Sequence, residues 1–166
     1  MSNKKRRVLG IDCGTAIVGW AIVDKINNDI KAIDYGDIRT PAKTALPIRL
    51  KMIYDSLLLL IEKYQPTEMA IEANFYFKNA TTVISVSEAR GVMLLAGETK
   101  GVNSYSYTPL QVKTAVTGYG RAEKKQVQAM VTKILKLKQI PKVDDTAVAL
   151  AIAVCHLNTG LGKERE

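Results

Sequence analysis

Acidic residues stand at the edges of three apolar segments of this 166-residue chain. Asp12 ends the strand-like segment RRVLGID, Glu72 ends MAIE, and Asp144 and Asp145 precede the apolar run TAVALAIAV. A buried carboxylate is costly unless something pairs with it. Functional groups gather at strand ends in sheets that are flanked by helices, so we expect Asp12 and Glu72 to lie together.

Carboxylates brought together in this way repel one another, and a bound divalent cation would offset this repulsion. Oxygen ligands suit Mg²⁺ or Mn²⁺, and no cluster of His or Cys competes for a softer metal. Acids from three segments also fit two-metal phosphodiester hydrolysis, in which one ion activates a water and a second, about 4 Å away, steadies the leaving oxygen. Simpler roles stay open: Asp12 as a turn residue, Glu72 as a solvated strand end, and Asp144 with Asp145 as helix caps.

The remaining patterns predict an α/β fold, a mixed five-stranded sheet flanked by helices. Two tight turns join the first three strands into an antiparallel meander, and only the later part of the chain alternates strand with helix. A helix begins at Pro47 and ends before Pro66, and another runs from Pro109 to about Val116. With no long linker, residues 1–166 form a single domain, in which residues 1–7 and 158–166 are expected to be loose.

Composition points to a polyanionic partner. Lys and Arg number 24 against 16 Asp and Glu, for a formal charge of +8, so nucleic acid is the first expectation and an acidic membrane the second. The longest apolar runs, such as residues 57–61, are too short to span a bilayer, and no signal peptide is indicated, which predicts a cytoplasmic protein. Cys13 and Cys155 share no close spacing, so neither a zinc site nor a disulfide framework is expected.

Six segments of the chain occur in the order seen in the RuvC family of bacterial Holliday junction resolvases. The resemblance runs from about Val8 to His156 and implies a ribonuclease H-like fold, a homodimer and a branch-migration helicase as a possible partner. It also implies Mg²⁺-dependent nicking of symmetrically placed strands in a four-way DNA junction. The segments are LGIDCGT, AIEANF, FKNA, EARGV, QVKTAVTGYGRAEKKQV and DDTAVALAIA.

Carried over by position, Asp12, Glu72 and Asp145 resemble the family's metal-binding acids, but a fourth acid is missing. The family has D-x-x-D before ALAIA, and the alignment places Asp145 at its first acid and Val148 at its second. Three consequences stay open: water completes the shell, Asp144 substitutes from one turn away, or catalysis is impaired. We expect a working nuclease with altered metal affinity. Cys13 replaces the family's usual proline, and we expect this change to be minor.

The resemblance also assigns DNA contacts around the acids. Phe75 is expected to stack on bases near the crossover, a contact worth about 1–3 kcal/mol per base. Lys124 is expected to lie close enough to offset transition-state charge. A dimer would present two equivalent acid clusters to two equivalent strands, with the helix of TTVISVSEARGVMLLAG as the candidate interface. The basic residues expected to bind DNA phosphates are Lys78, Arg90, Lys113, Arg121 and Lys124.

Two other functions fit parts of the sequence. A strand followed by Asp-x-Gly-Thr also opens the sugar-kinase, actin and heat-shock ATPase superfamily, although 166 residues are too few for its two phosphate-binding halves. A protein that binds branched DNA without cutting it is the other alternative, and Val148 favours it. His156 and Cys155 sit late in an apolar helix and are expected to belong to the core.

Overall fold

The computed structural model describes residues 5–73 and 79–159, which form one five-stranded mixed sheet with helices on both faces. The strands lie in the order β3-β2-β1-β4-β5. The first three pair antiparallel, while β1, β4 and β5 are parallel. This arrangement confirms the predicted mixed sheet. The strands are β1 Arg6–Asp12, β2 Ile17–Ile26, β3 Asp29–Arg39, β4 Glu68–Glu72 and β5 Asn103–Tyr107.

The helices begin and end at the signals that the sequence contains. Pro47 lies in the first turn of α1, Asn79 caps α2 by accepting a hydrogen bond from the Thr81 amide, and Thr108 caps α3. Gly118, with φ of 76°, ends α3 in the left-handed conformation that glycine adopts without strain. The helices are α1 Leu46–Tyr64, α2 Ala80–Thr99, α3 Pro109–Thr117, α4 Lys124–Ile134 and α5 Asp144–Asn158.

Helix α5 lies unusually close to the sheet because two strands carry glycine beneath it. A Cβ built on Gly10 of β1 would stand 2.3 Å from the Ala149 carbonyl oxygen, and one on Gly19 of β2 would stand 2.0 Å from the Asp145 carbonyl oxygen. The facing side of α5 is rich in alanine, so the helix backbone rests almost directly on the strands. This close approach fixes where the N-terminus of α5 meets the sheet.

The two faces of the sheet carry separate apolar cores. Alternate residues of each strand point to opposite faces, so Val8 of β1 packs with α3, α4 and α5, whereas Leu9 packs with α1 and α2. Asp12 follows Val8 and Gly10 at spacing two, which places it on the α5 face of the sheet. The sheet therefore presents its terminal acid to the helix that carries Asp145.

The end of α5 opposite the acids is tied to the sheet by a polar cluster. Arg6 donates to both carboxylate oxygens of Glu68 at 3.1 and 2.6 Å, and Glu68 also contacts His156. The Tyr107 hydroxyl lies 2.6 Å from His156 Nδ1. His156 is 2% exposed, which confirms its predicted place in the core.

The strand β1 begins inside the segment expected to be loose. Arg6 is the first residue of β1, and Arg7 donates to both carboxylate oxygens of Asp24 at 2.7 and 2.8 Å. Arg6 and Arg7 are therefore anchored to the sheet, because acids on neighbouring strands bind their guanidinium groups. Asn158, expected at the start of the loose tail, is the last residue of α5. Within the described residues, no helix combines the length and apolarity needed to cross a bilayer.

Candidate metal and nucleic-acid site

Asp12 and Glu72 lie side by side at the carboxyl ends of neighbouring parallel strands. The register pairs Ile11 of β1 with Ile71 of β4, so the next residue of each strand is an acid. Both acids point to the same face because residues in register share the pleat. The structure thus brings together the first two predicted acids.

Asp145 joins them from the first turn of α5. Gly19 is the residue of β2 that pairs with Asp12, and the Asp145 backbone rests on Gly19. Asp145 and Glu72 both lie close enough to Asp12 to raise the pKa of its carboxyl. Asp12 therefore stands between the other two acids, and the site is assembled from β1, β4 and α5.

The cluster is electrostatically uncompensated. Burial, with the charges of Glu72 and Asp145, raises the pKa of Asp12 to about 9. Burial also raises the pKa of Glu72, although a hydrogen bond from Asp12 and the positive charge of Lys113 oppose the shift. A bound divalent ion would relieve the repulsion that raises the pKa of Asp12.

The three acids form two pairs rather than a finished shell. Within residues 5–73 and 79–159, no three acidic, His or Cys side chains surround one point as ligands of a single ion. Asp12 pairs with Glu72 on one side and with Asp145 on the other. The chemistry of the donors fits Mg²⁺ or Mn²⁺, and Asp12 is the acid common to both pairs.

Val148 faces the same cavity as Glu72. This cavity, of about 240 Å³, lies between α3, α4 and α5, and Lys113 and Lys124 also line it. Val148 is half-buried, one turn beyond Asp145, so an acid at this position would face Glu72. The position is thus next to the acid cluster, and its side chain supplies an apolar wall instead of an oxygen.

Asp144 points away from the acids and towards α4. Its carboxylate accepts from Lys124 Nζ at 2.6 Å and from Gln128 Nε2 at 2.8 Å. These two hydrogen bonds lower the pKa of Asp144. Asp144 could reach the site of the missing acid only by giving up both partners. No local sequence pattern predicts the contact of Asp144 with Gln128, because this contact depends on how α4 packs against α5.

The predicted basic residues surround the acids unequally. Lys113 lies close enough to Glu72 to influence its pKa, and Lys124 lines the same cavity while bound to Asp144. Arg121 is exposed in the turn before α4. Arg90 of α2 is half-buried and donates to the Ser106 hydroxyl of β5, so part of its role is to tie α2 to the sheet.

Two of the predicted DNA contacts, Phe75 and Lys78, lie outside the described residues. They remain predictions. Cys13 is buried behind the acids, and burial, with the neighbouring charge of Asp12, raises the pKa of its thiol. The thiol is therefore held in its unreactive protonated form.

Comparison with known proteins identifies one family over nearly the whole chain. Residues 8–156 match the family described as crossover junction endodeoxyribonuclease RuvC. The crossover junction endodeoxyribonuclease RuvC of Alkaliphilus metalliredigens is 56% identical over 153 residues, which cover 92% of this chain and 93% of that protein.

Solved structures agree with this match. A T. thermophilus RuvC in complex with Holliday junction substrate superimposes with a TM-score of 0.87 at 32% identity, covering 92% of this chain and 93% of that one. The yeast mitochondrial Holliday junction resolvase Ydc2 has a TM-score of 0.63 at 15% identity, covering 90% of this chain and 78% of that one, which shows a common fold alone. The ribonuclease H-like fold expected from the sequence is confirmed.

Proposed function

The chain belongs to the RuvC family of crossover junction endodeoxyribonucleases, and from this premise we propose that it resolves four-way DNA junctions by paired, metal-dependent nicking of two symmetric strands. The observation that carries the proposal is the meeting of Asp12, Glu72 and Asp145 at one end of the sheet. A cation bound by these acids would offset the repulsion among them. Membership of this family argues against the sugar-kinase, actin and heat-shock ATPase alternative, which rested on the strand and turn around Asp12.

We propose that Mg²⁺, with Mn²⁺ as a substitute, binds at two positions that share Asp12. Glu72 would complete one position and Asp145 the other, because each is paired with Asp12 and not with a common centre. Such ions supply charge stabilisation and a water acidic enough to act as the nucleophile. The chain's own contribution is to hold the acids at the ends of rigid elements. Val148 beside them offers no ligand oxygen, and water would take the place of the missing carboxylate.

The lysines of the cavity are proposed to hold the DNA backbone. Lys113 stands beside Glu72 and can bind a phosphate oxygen next to the reacting group. Lys124 is charged and partly exposed, and its bond to Asp144 keeps it at the cavity rim. A positive charge at this place stabilises the negative charge that develops on the phosphate during hydrolysis.

We propose that the outer face of α2 joins two copies of the chain. Ile84 and Leu95 are 60% and 58% exposed, and they share a helix face with Gly91, where a Cβ would meet nothing within 4 Å. Exposed apolar side chains around a glycine allow two helices to approach closely. Sedimentation of the parent chain and of Leu95→Glu measures the contact: we expect a dimer that the variant shifts to monomer, and identical sedimentation would contradict the proposal.

A four-way junction tested with the parent chain separates cleavage from binding. We expect paired nicks near the branch with Mg²⁺ or Mn²⁺ and none with EDTA. Asp12→Asn should bind the junction without cutting it. It should also melt at a higher temperature than the parent in EDTA, because the raised pKa of Asp12 makes folding at neutral pH depend on uptake of a proton, a cost that an amide does not have. Tight junction binding without nicks by the parent in either metal would instead support the DNA-binding alternative that Val148 favours.

A further inference from the structure

A second groove lies on the other side of the acids from the lysine cavity. It has a volume of about 370 Å³, whereas one water needs only about 10–15 Å³, so it can admit a group as large as a phosphodiester. Asp145 forms its inner end, and the rest comes from the turn after β1, from α1 and from the first turns of α2. The lining residues that matter here are Thr15, Arg49, Thr82 and Asp145.

Arg49 is held in place by the turn that follows Asp12. Its Nε donates to the Thr40 hydroxyl at 2.8 Å, and that hydroxyl donates to the Thr15 carbonyl oxygen at 2.6 Å. The Thr40 amide donates to the Ala16 carbonyl oxygen at 3.0 Å, and Thr40 is 6% exposed. Because one N–H of five is used in this contact, the guanidinium is oriented while its terminal amino groups can serve a ligand.

Thr15 contributes a hydroxyl that has no hydrogen-bond partner in the part of the chain that the structure describes. Its Oγ1 is buried. A buried hydroxyl without a partner costs free energy, so its retention on the wall of a groove points to a ligand that supplies the partner. Thr82 of α2 adds an exposed hydroxyl on the opposite wall.

We propose that this groove binds a DNA backbone phosphate adjacent to the scissile one, with Arg49 supplying the charge and Thr15 and Thr82 donating hydrogen bonds. The inference rests on the proposed function, because it takes the acids as the cutting site. Glu72 faces the lysine cavity and Asp145 faces this groove, with Asp12 between them. A strand crossing the acids would therefore be held by phosphate contacts on both sides of the reacting bond.

The choice of a phosphate over another ligand follows from the groove's chemistry. Arginine is the usual partner of phosphate, and hydroxyl donors complete such sites in DNA-binding proteins. A free anion would be repelled by Asp145 at the inner end of the groove. A phosphate belonging to a strand already seated at the acids is held by its neighbours, so this groove should act on junction DNA and bind inorganic phosphate weakly.

Two variants test the groove. Thr15→Val replaces the unpartnered hydroxyl by a methyl group of equal size, so we expect a melting temperature equal to or above the parent's together with a junction dissociation constant about fivefold higher. Arg49→Gln should raise that constant about tenfold and reduce the slope of log K against log salt by about 0.9, as the loss of one phosphate contact requires.

The measurement uses the full chain, a fluorescent four-way junction, EDTA to prevent cleavage, and KCl from about 50 to 200 mM. Lys51→Gln is the matched control: it removes one positive charge from the same helix, where Lys51 pairs with Asp55 and does not line the groove. A parent-like slope for Arg49→Gln, or parent-like affinity for Thr15→Val, would overturn the inference.

A junction with a single methylphosphonate beside the cut site locates the contact. Neutralising the contacted phosphate should weaken binding by the parent and should have little further effect on Arg49→Gln. If the parent neither binds nor cuts junctions, the proposed function fails. If it cuts them while Arg49→Gln behaves like Lys51→Gln, only the groove assignment fails.

Discussion

Replacing Val148 by Asp restores a carboxylate at the position of the missing acid. We expect this change to lower the stability of the protein without metal and to strengthen the binding of Mg²⁺ when metal is present. Without metal, the new charge joins Glu72 in a half-buried cavity. Like charges about 5 Å apart repel by about 3 kcal/mol at an effective dielectric near 20, and Lys113 offsets part of this. We therefore expect Val148→Asp to lose about 2 kcal/mol in EDTA, which lowers the melting temperature by about 4–8 °C.

With Mg²⁺ present, the same carboxylate becomes a ligand. A gain of about 1.4–2.8 kcal/mol in metal binding corresponds to about 10–100-fold tighter binding. The concentration of Mg²⁺ that gives half-maximal junction cleavage should fall by that factor. Because a ligand that binds only the folded state stabilises it, the rise in melting temperature between EDTA and Mg²⁺ should also be larger for the variant than for the parent.

Val148→Asn is the control, because it has the size of Asp and an oxygen but no charge. It should reproduce little of the shift in Mg²⁺ requirement. Asp144→Asn tests the substitute ligand: since Lys124 and Gln128 hold Asp144, we expect a nearly unchanged Mg²⁺ requirement. If Val148→Asp needs as much Mg²⁺ as the parent, Val148 is not at a ligand position and the account of the missing acid is wrong.

Two further changes probe how α5 is held at its ends. Gly19→Ala places a methyl group 2.0 Å from the Asp145 carbonyl oxygen, so we expect a loss of about 1–3 kcal/mol in stability and about 100-fold in cleavage from moving Asp145; parent-like cleavage in a folded variant would contradict this. Burial would raise the pKa of Glu68, but hydrogen bonds from His156 and Arg6 outweigh it and lower that pKa from 4.5 to about 2. Because the folded-state pKa is depressed, the resulting stability is complete above pH 4.5 and is lost as pH falls towards 2. Glu68→Gln should thus be less stable than the parent by up to about 3 kcal/mol at pH 6, a difference that urea denaturation should show shrinking below pH 4.

The sequence predicted the sheet and the acids because both depend on local signals. Turn residues, proline at helix starts and glycine at helix ends mark the elements, and each acid stands at the edge of an apolar run in the sequence. Asp12 and Glu72 needed one further step, the register of β1 with β4, and parallel strands bring their carboxyl ends together by geometry. The predicted pairing of these two acids therefore required no tertiary detail.

Other parts of the site depend on contacts between elements that no local pattern encodes. Gly10 and Gly19 look like ordinary strand glycines, yet they decide how closely α5 can approach. The direction in which Asp144 points depends on Lys124 and Gln128 of another helix, so the sequence left its role open. The same holds for Arg49, whose orientation comes from a hydrogen bond to a residue at the end of β3.

The two ends of α5 carry carboxylates in opposite electrostatic states, and the contrast separates structural acids from functional ones. Glu68 at one end has Arg6 and His156 as partners, and its pKa is lowered. Asp12 at the other end has acids as its nearest charged partners, and its pKa is raised. The same fold provides Glu68 with two partners that stabilise its negative charge, whereas Asp12 has acids as neighbours. That Asp12 and Glu72 remain crowded together in the same small domain is best explained by a bound cation. The Asp12→Asn variant, with a neutral side chain at this position, should therefore be more stable than the parent until that cation is added.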